Sequence, residues 1–346
     1  MSMSRLVLAP YDPDRDHEVH ELFRDYAHKD YQLRFMGVSK ANMVEYLKTA
    51  LTRKDIQTIC LRDEGHLAGM ISLQSLPWMS EHFGLRMYAV SNLLARSDGP
   101  LVHARLLRYV VEELSEVDFL DCRVAVDDVY SAHALEVCGF RYVGTEVYMG
   151  RNFDKMPTPE PHSELDIGHC EPYERDQVLD IAGRTHVHNR FVYDPVIKRS
   201  AAKSLYRRLV ANCFDHEDFN VLVARSGPKV HGFIVSKLNP AFSRVAGRHC
   251  GSLDFIGVRP ESRMKGVGAA LNHWALHEMA KEGAAYVAVR TLASNYAAMG
   301  TCYRTGFRVT STTLHFHRWI HRPARSVSPL SGRSAADYSM AGGAPG

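Results

Sequence analysis

The sequence contains no C-x-x-C pair. Its seven cysteines, at positions 60, 122, 138, 170, 213, 250 and 302, lie scattered, mostly in hydrophobic runs, where a reduced cysteine acts as a small apolar side chain. The spacing excludes a zinc knot or a disulfide framework and points to a reducing compartment. Long apolar runs are missing too: nothing approaches the roughly 20 residues needed to cross a bilayer. Met1-Ser2-Met3-Ser4-Arg5 leads towards a strand and not a signal segment, so a cytoplasmic setting without a membrane partner is expected. Charge of one sign is scarce. A formal net charge of +3 over 346 residues leaves no basic footprint for nucleic acid. Histidine is abundant, at 19 residues. Yet His186, His315, His317 and His321 have no carboxylate or cysteine at ligand spacing, so no metal is expected.

With 45% apolar and 23% charged residues, the length suits two ordinary cores. The first half reads as a strand over 5–9, helices over 15–26 and 39–52, and a hairpin of 57–62 with 67–74 turned by Asp63-Glu64-Gly65. A strand over 87–95, a helix over 102–114, a strand over 120–126, a short helix and a strand from Arg141 follow. The second half repeats this order. Leu61-Arg62-Asp63-Glu64-Gly65 through Gly69-Met70-Ile71 stands 163 positions before Ala224-Arg225-Ser226-Gly227-Pro228 through Gly232-Phe233-Ile234, and Gly139-Phe140-Arg141 stands 167 before Gly306-Phe307-Arg308. A near-constant offset with a small drift marks two copies of one fold. The proline-rich stretch within 151–165 separates a first domain, 1–150, from a second, 166–322. The Ser- and Gly-rich tail, 323–346, has too few apolar residues to pack and is expected to be disordered.

The stretch from Gly257 to Leu271 reads as a strand end, a basic turn and a helix. Gly266 and Gly268 carry no Cβ, so backbone N–H groups can approach a ligand there, and the following helix adds its positive end. Arg263 and Lys265 place fixed cations beside them. This is a phosphate cradle. Carried back by 167, it falls on Arg96-Ser97-Asp98-Gly99-Pro100-Leu101. An aspartate there replaces Lys265, a proline removes a donor and a leucine replaces the second glycine, so the first copy is expected to have lost the site.

The cradle, the strand Tyr286 to Arg290, Asn295-Tyr296-Ala297-Ala298 and Tyr303-Arg304-Thr305-Gly306-Phe307 together resemble the GCN5-related N-acetyltransferase (GNAT) superfamily over about residues 166 to 320. The resemblance implies an α/β fold of the α+β kind, in tandem. Each copy would have a mixed, mostly antiparallel central sheet with helices on both faces. It implies acetyl-CoA as acyl donor and a small-molecule amine as acceptor. Arg263, Met264, Lys265, Gly266, Val267, Gly268 and Ala269 would surround the pyrophosphate. Ile256, Gly257 and Val258 would pair with the pantetheine arm on a strand that splays from its neighbour, and Asn295 would complete the cofactor site.

Such a transfer needs a neutral amine, a stabilised oxyanion and a proton for the departing thiolate. The family's tyrosine position holds Cys302 here, and the tyrosine is Tyr303, one residue or about 100° around the helix. Tyr303, Cys302 and solvent all stand as proton donors. Asp254, in phase with Ile256 and Val258 on an alternating strand, is the candidate base or an edge carboxylate in a salt link. Within the superfamily the chain resembles acetyltransferases of nucleotide-linked amino sugars, of the TDP-fucosamine type, through His188-Asn189-Arg190-Phe191-Val192-Tyr193-Asp194-Pro195, Leu205-Tyr206, Val289-Arg290-Thr291 and Phe316-His317-Arg318-Trp319. Arg190, Tyr193 and Arg318 are the candidate contacts to an anionic or sugar acceptor. Another amine, a peptide or an antibiotic as acceptor, or a non-catalytic acyl-CoA sensor, are the alternatives. The acyl length and oligomeric state are left open.

Overall fold

The computed structural model describes residues 6–96, 99–114, 116–156, 160–185 and 189–321. The first half runs β1 (Leu6–Pro10), α1 (Asp16–Asp25), α2 (Asp30–Met36), α3 (Lys40–Leu51), β2 (Ile56–Asp63), β3 (His66–Ser75), α4 (Pro77–Phe83), β4 (Met87–Ala95), α5 (Leu101–Glu113), β5 (Phe119–Ala125), α6 (Val129–Val137) and β6 (Arg141–Asn152). The second runs β7 (Asp166–His169), α7 (Arg175–Thr185), α8 (Arg190–Tyr193), α9 (Arg199–Cys213), β8 (Phe219–Ser226), β9 (Lys229–Leu238), α10 (Pro240–Ala246), β10 (Cys250–Val258), α11 (Val267–Lys281), β11 (Tyr286–Leu292), α12 (Tyr296–Arg304) and β12 (Arg308–Trp319). The expected repeat is thus present. Helices α2, α4, α8 and α10 go beyond the elements read from the sequence. Both α4 and α10 start on a proline and end on a left-handed glycine, Gly84 or Gly247, a start-and-stop signature legible in the chain itself. The tail at 323–346 lies outside the described residues.

The two copies do not keep separate sheets. All twelve strands form one sheet in the order β1-β2-β3-β4-β5-β12-β6-β11-β10-β9-β8-β7. Each copy gives its last strand to the other: β12 pairs antiparallel with β5, and β6 pairs antiparallel with β11. The two exchanged strands pair with each other at the centre. Only β4 with β5 and β10 with β11 run parallel. Phe316 of β12 accordingly packs in the first half's core, while Val147 and Met149 of β6 pack in the second's.

Period-2 alternation assigns the two faces. Ile59, Leu61, Ile71 and Leu73 meet the α5 and α6 side, whereas Cys60 and Met70 meet α1 and α3. Likewise Leu222, Ala224 and Ile234 meet α11, whereas Val221, Val223 and Val235 meet α7 and α9. The halves also interlock above the second of these faces. Leu33 and Met36 of α2 pack with Ala246 and Tyr286, and Phe191 and Leu205 pack with Met87 and Phe119.

Candidate active site

Strand β10 pairs with β11 only from Cys250 to Leu253, the last pair being Leu253 with Val289. On its other side it stays paired with β9 as far as Val258. A register shift between Leu253 and Phe255 makes Asp254 the extra residue of a bulge, and a bulge bends its strand. Beyond it, the β11-facing backbone of Asp254 to Val258 has no strand partner among the described residues. The splay that family resemblance implied is therefore present, with its apex at Asp254.

The bulge also changes phase. Leu253, Ile256 and Val258 pack on the α11 side, whereas Phe255 packs on the α7 and α9 side. Asp254 accepts a 2.7 Å hydrogen bond from Ser252 Oγ and lies 3.6 Å from Lys237 Nζ, and Lys237 lies over Phe219 beside the α9 core. The carboxylate thus sits on the opposite face from Ile256 and Val258, correcting the simple alternation. At Gly257 the strand is approached closely by α7: a Cβ there would lie 2.6 Å from the Phe233 ring and 2.9 Å from Thr185 Oγ1.

After β10, one short turn at Pro260–Ser262 leads into an extended Arg263. Met264 at φ 61° and Gly266 at φ 78° are both left-handed, and Met264 is fully exposed. Such alternation turns successive N–H groups towards one concave point at the start of α11. Arg263, Lys265 and Gly266 are exposed around it. The turn is anchored from below. The two ring nitrogens of His231 contact Ser262 Oγ at 2.8 Å and Ser226 Oγ at 2.7 Å, and Arg259 Nε donates to the Val230 carbonyl at 2.6 Å. Burial, and then the cations Lys229, Arg259 and Lys265, lower the His231 pKa, so the ring stays neutral while its surroundings stay positive. A cleft of about 970 Å³ opens here, with Lys229, Ser262, Lys265 and Ala270 on its walls. Free donors, fixed cations and space fit the pyrophosphate of coenzyme A.

The first copy keeps the splay but not the cradle. Ser91 is the bulge residue there, and β4 leaves β5 after Val90. Val102 packs against Gly69 as Val267 packs against Gly232; six residues separate Ala95 from Val102, and eight separate Val258 from Val267. This packing sets Leu101 opposite Gly266 and His103 opposite Gly268, a shift of two from the sequence match. Arg96, opposite the start of the cradle, is engaged by Glu21 at 2.6 Å.

On α12, Asn295 caps the helix through Ala298 N at 3.4 Å and donates to Thr291 Oγ1 at 3.0 Å, tying the end of β11 to the helix start. Thr301 Cγ2 is 3.9 Å from where a Gly268 Cβ would sit. Cys302 is buried in the cluster that includes Val267, Ile256 and Val258, and burial pushes its thiol up to about 11. Tyr303 is half exposed, at 51%. The helical rotation therefore sends Cys302 towards the splayed strands and Tyr303 outwards.

The three candidate acceptor contacts are not brought together. Arg190 is consumed by Asp121 at 2.7 Å, with both side chains nearly buried. Tyr193 is exposed, its hydroxyl 3.2 Å from Ser294 Oγ just past β11. Arg318 is on the other face, where its Nη1 donates to the Gly139 carbonyl at the end of α6, so it cannot share a site with the other two. His317 is held by Asp194 at 2.7 Å. The residues that do line the α8 and α9 face beside the splay are Arg123, Glu146, Tyr206 and Arg290. The offset of 167 that relates Arg123 to Arg290 was the available signal for them.

Residues 186–307 match the model of the Acetyltransferase (GNAT) family. The chain carries a GNAT acetyltransferase domain. Over 296 residues, 84% of this chain and 98% of the relative, it is 24% identical to the spore coat polysaccharide biosynthesis protein SpsD of Bacillus subtilis (strain 168). A GCN5-related N-acetyltransferase from Sphaerobacter thermophilus shares the fold at TM-score 0.64 and 16% identity, covering 93% of this chain and 97% of that one. A tandem GNAT protein from the clavulanic acid biosynthesis pathway does so at TM-score 0.55 and 13% identity, covering 93% and 100%. The GNAT domain thus lies within a tandem GNAT fold. Among the described residues, no helix is long and apolar enough to cross a membrane.

Proposed function

We propose that the second half transfers an acetyl group from acetyl-CoA directly to the amine of a small molecule, a nucleotide-linked amino sugar, in a ternary complex in the cytoplasm. The observation that carries this is the conjunction of a splayed β10–β11 pair with an adjoining glycine cradle. The similarity to a polysaccharide biosynthesis protein supports the sugar class. Bound acetyl-CoA supplies the activated acyl group. Ile256 and Val258 offer backbone that, among the described residues, no neighbouring strand pairs on that side, the Val258 carbonyl accepting from Arg263 Nε at 3.4 Å, and a backbone N–H there stabilises the oxyanion.

Asp254, on the face of α9, accepts the amine proton directly or through water. Cys302, still protonated at neutral pH, gives its proton to the departing thiolate. Cys302→Ala is then expected to lower turnover by about a hundredfold, while Tyr303→Phe stays within about twofold of wild type. A silent Cys302→Ala together with a slow Tyr303→Phe would reverse the assignment. The reading itself is tested by free-thiol release from acetyl-CoA across a panel of nucleotide-linked amino sugars, simple amines, peptides and aminoglycosides. Coenzyme A binding without thiol release on any of them would favour a sensor.

The first half shapes the acceptor site and binds no cofactor. Isothermal calorimetry is expected to give one coenzyme A per chain, and two would refute it.

A further inference from the structure

Resting on the acetyltransferase reading, we propose that a phosphate-bearing acceptor is clamped between the two halves by Lys29, Arg123 and Arg290. Arg290 stands on β11 and Arg123 on β5, deep in the twelve-stranded sheet, with two strands, β12 and β6, between them. On the register, Arg290 opposes Tyr148, Glu146 opposes Leu292 and Thr313, and His315 opposes Arg123. All project on the face that carries α8 and α9. The offset of 167 maps Arg123 onto Arg290 and Glu146 onto Thr313, so the two arginines are related by the repeat, with the exchanged strands between them. Arg123 aligns with Gly144 of β6 and Arg290 with Tyr148, so their Cα atoms are three strand spacings apart across the sheet and four residues apart along it, about 20 Å in all, and the two long side chains bracket Glu146 from either side.

Arg290 and Lys29 are exposed, and Arg123, Tyr148 and Tyr206 partly so. Yet burial is the leading influence on Lys29, whose next influence is the Arg123 charge, on Tyr206, and on Arg290, where the Glu146 charge and Tyr148 together outweigh it and hold the guanidinium's pKa up. Solvent-reachable side chains so enclosed by protein describe a well in the face. Among the described residues, none of the three cations has a carboxylate within ion-pair distance. The neighbouring charges cancel elsewhere: Arg190 pairs with Asp121, and Lys237 with Asp254. Glu146 alone stands between the arginines. Burial would raise its pKa, but His315, Arg123 and Arg290 outweigh this and hold it at about 2, so it is an anion. Three cations against one anion leave two positive charges, matching a diphosphate.

The well also has polar atoms to spare. Among the described residues, buried Thr313 Oγ1, His315 Nδ1 and Arg123 Nε lack hydrogen-bond partners, while His315 Nε2 and Glu146 Oε2 face each other at 3.3 Å, and unpartnered groups of that kind call for a ligand or ordered water. Tyr206 connects the well to the splay, its ring 6.0 Å from that of Phe255. An acceptor whose phosphates lie over Arg123 and Arg290 can therefore direct its amine towards Asp254 and the gap between β10 and β11.

The test measures inorganic pyrophosphate and inorganic phosphate binding to the full chain by calorimetry, with the cradle first saturated with coenzyme A. Wild type is expected to take one pyrophosphate more tightly than phosphate. Arg123→Gln, Arg290→Gln and Lys29→Gln should each weaken it by about tenfold or more, with coenzyme A affinity and the melting temperature unchanged. Lys29→Gln, on an exposed loop, guards against misfolding of the strand variants. Phosphate bound as tightly as pyrophosphate would point to a sugar monophosphate and overturn the diphosphate match. Coenzyme A binding with no further anion site, or an anion site indifferent to all three variants, overturns the clamp alone. Failure to bind coenzyme A overturns the acetyltransferase reading beneath it.

Discussion

Gly266→Leu is expected to raise the Michaelis constant for acetyl-CoA by about a hundredfold or more while the protein stays folded. Gly266 is left-handed at φ 78° and exposed, with no atom within 4 Å of where its Cβ would be. Leucine therefore meets no core clash and costs only the left-handed penalty, about 1–2 kcal/mol. The loss falls on function, because relieving that strain rotates the N–H groups away from their common point and a side chain enters the space of the phosphate. Gly268→Leu acts on the same step, but a Cβ there meets only ordinary contacts at 3.7–3.9 Å. The matching change in the first copy, Leu101→Gly, should leave acetyl-CoA kinetics within about twofold, since Leu101 is 82% exposed beside a turn with no cradle. Measured Michaelis constants that rise equally for Gly266→Leu and Leu101→Gly would place a cofactor site in both halves.

The second large effect follows from the exchanged strands. Residues 160–346 expressed alone are expected to be insoluble or molten and to bind no coenzyme A. Without β6, strand β11 has an open edge, β12 loses both sheet neighbours, and the second core loses Val147 and Met149, which are 5% and 0% exposed. Open apolar edges aggregate, and vacating two buried side chains costs several kcal/mol in a fold whose total stability is of order ten. Residues 1–156 alone should fail likewise, lacking β12 between β5 and β6. Co-expression of the two pieces should restore a soluble complex with coenzyme A affinity. A monomeric 160–346 fragment with a sharp melt and coenzyme A affinity would show that the strand exchange is dispensable.

The sequence alone determined the repeat, the order of the strands and the glycine turn ahead of α11, because each is written locally. Hairpin glycines, alternating strands and a Gly-x-Gly turn ahead of a helix need no distant partner to be recognised. Half of the four-residue drift in the repeat offset was also local: the second half has two more residues between β10 and the packed start of α11, where the cradle is. Three features depended on tertiary structure. The destination of the last strands was invisible because β6 and β12 have the same alternating pattern whichever half they join. The face of Asp254 was misread because one bulged residue inverts a period of two. The fates of Arg190 and Arg318 could not be separated in the chain, since an arginine's role is set by the partner it meets: Asp121 of the other half for one, the Gly139 carbonyl on the opposite face for the other. Arg123 and Arg290, which among the described residues have no carboxylate within ion-pair distance, flank Glu146 as a pair only because the two copies share one sheet.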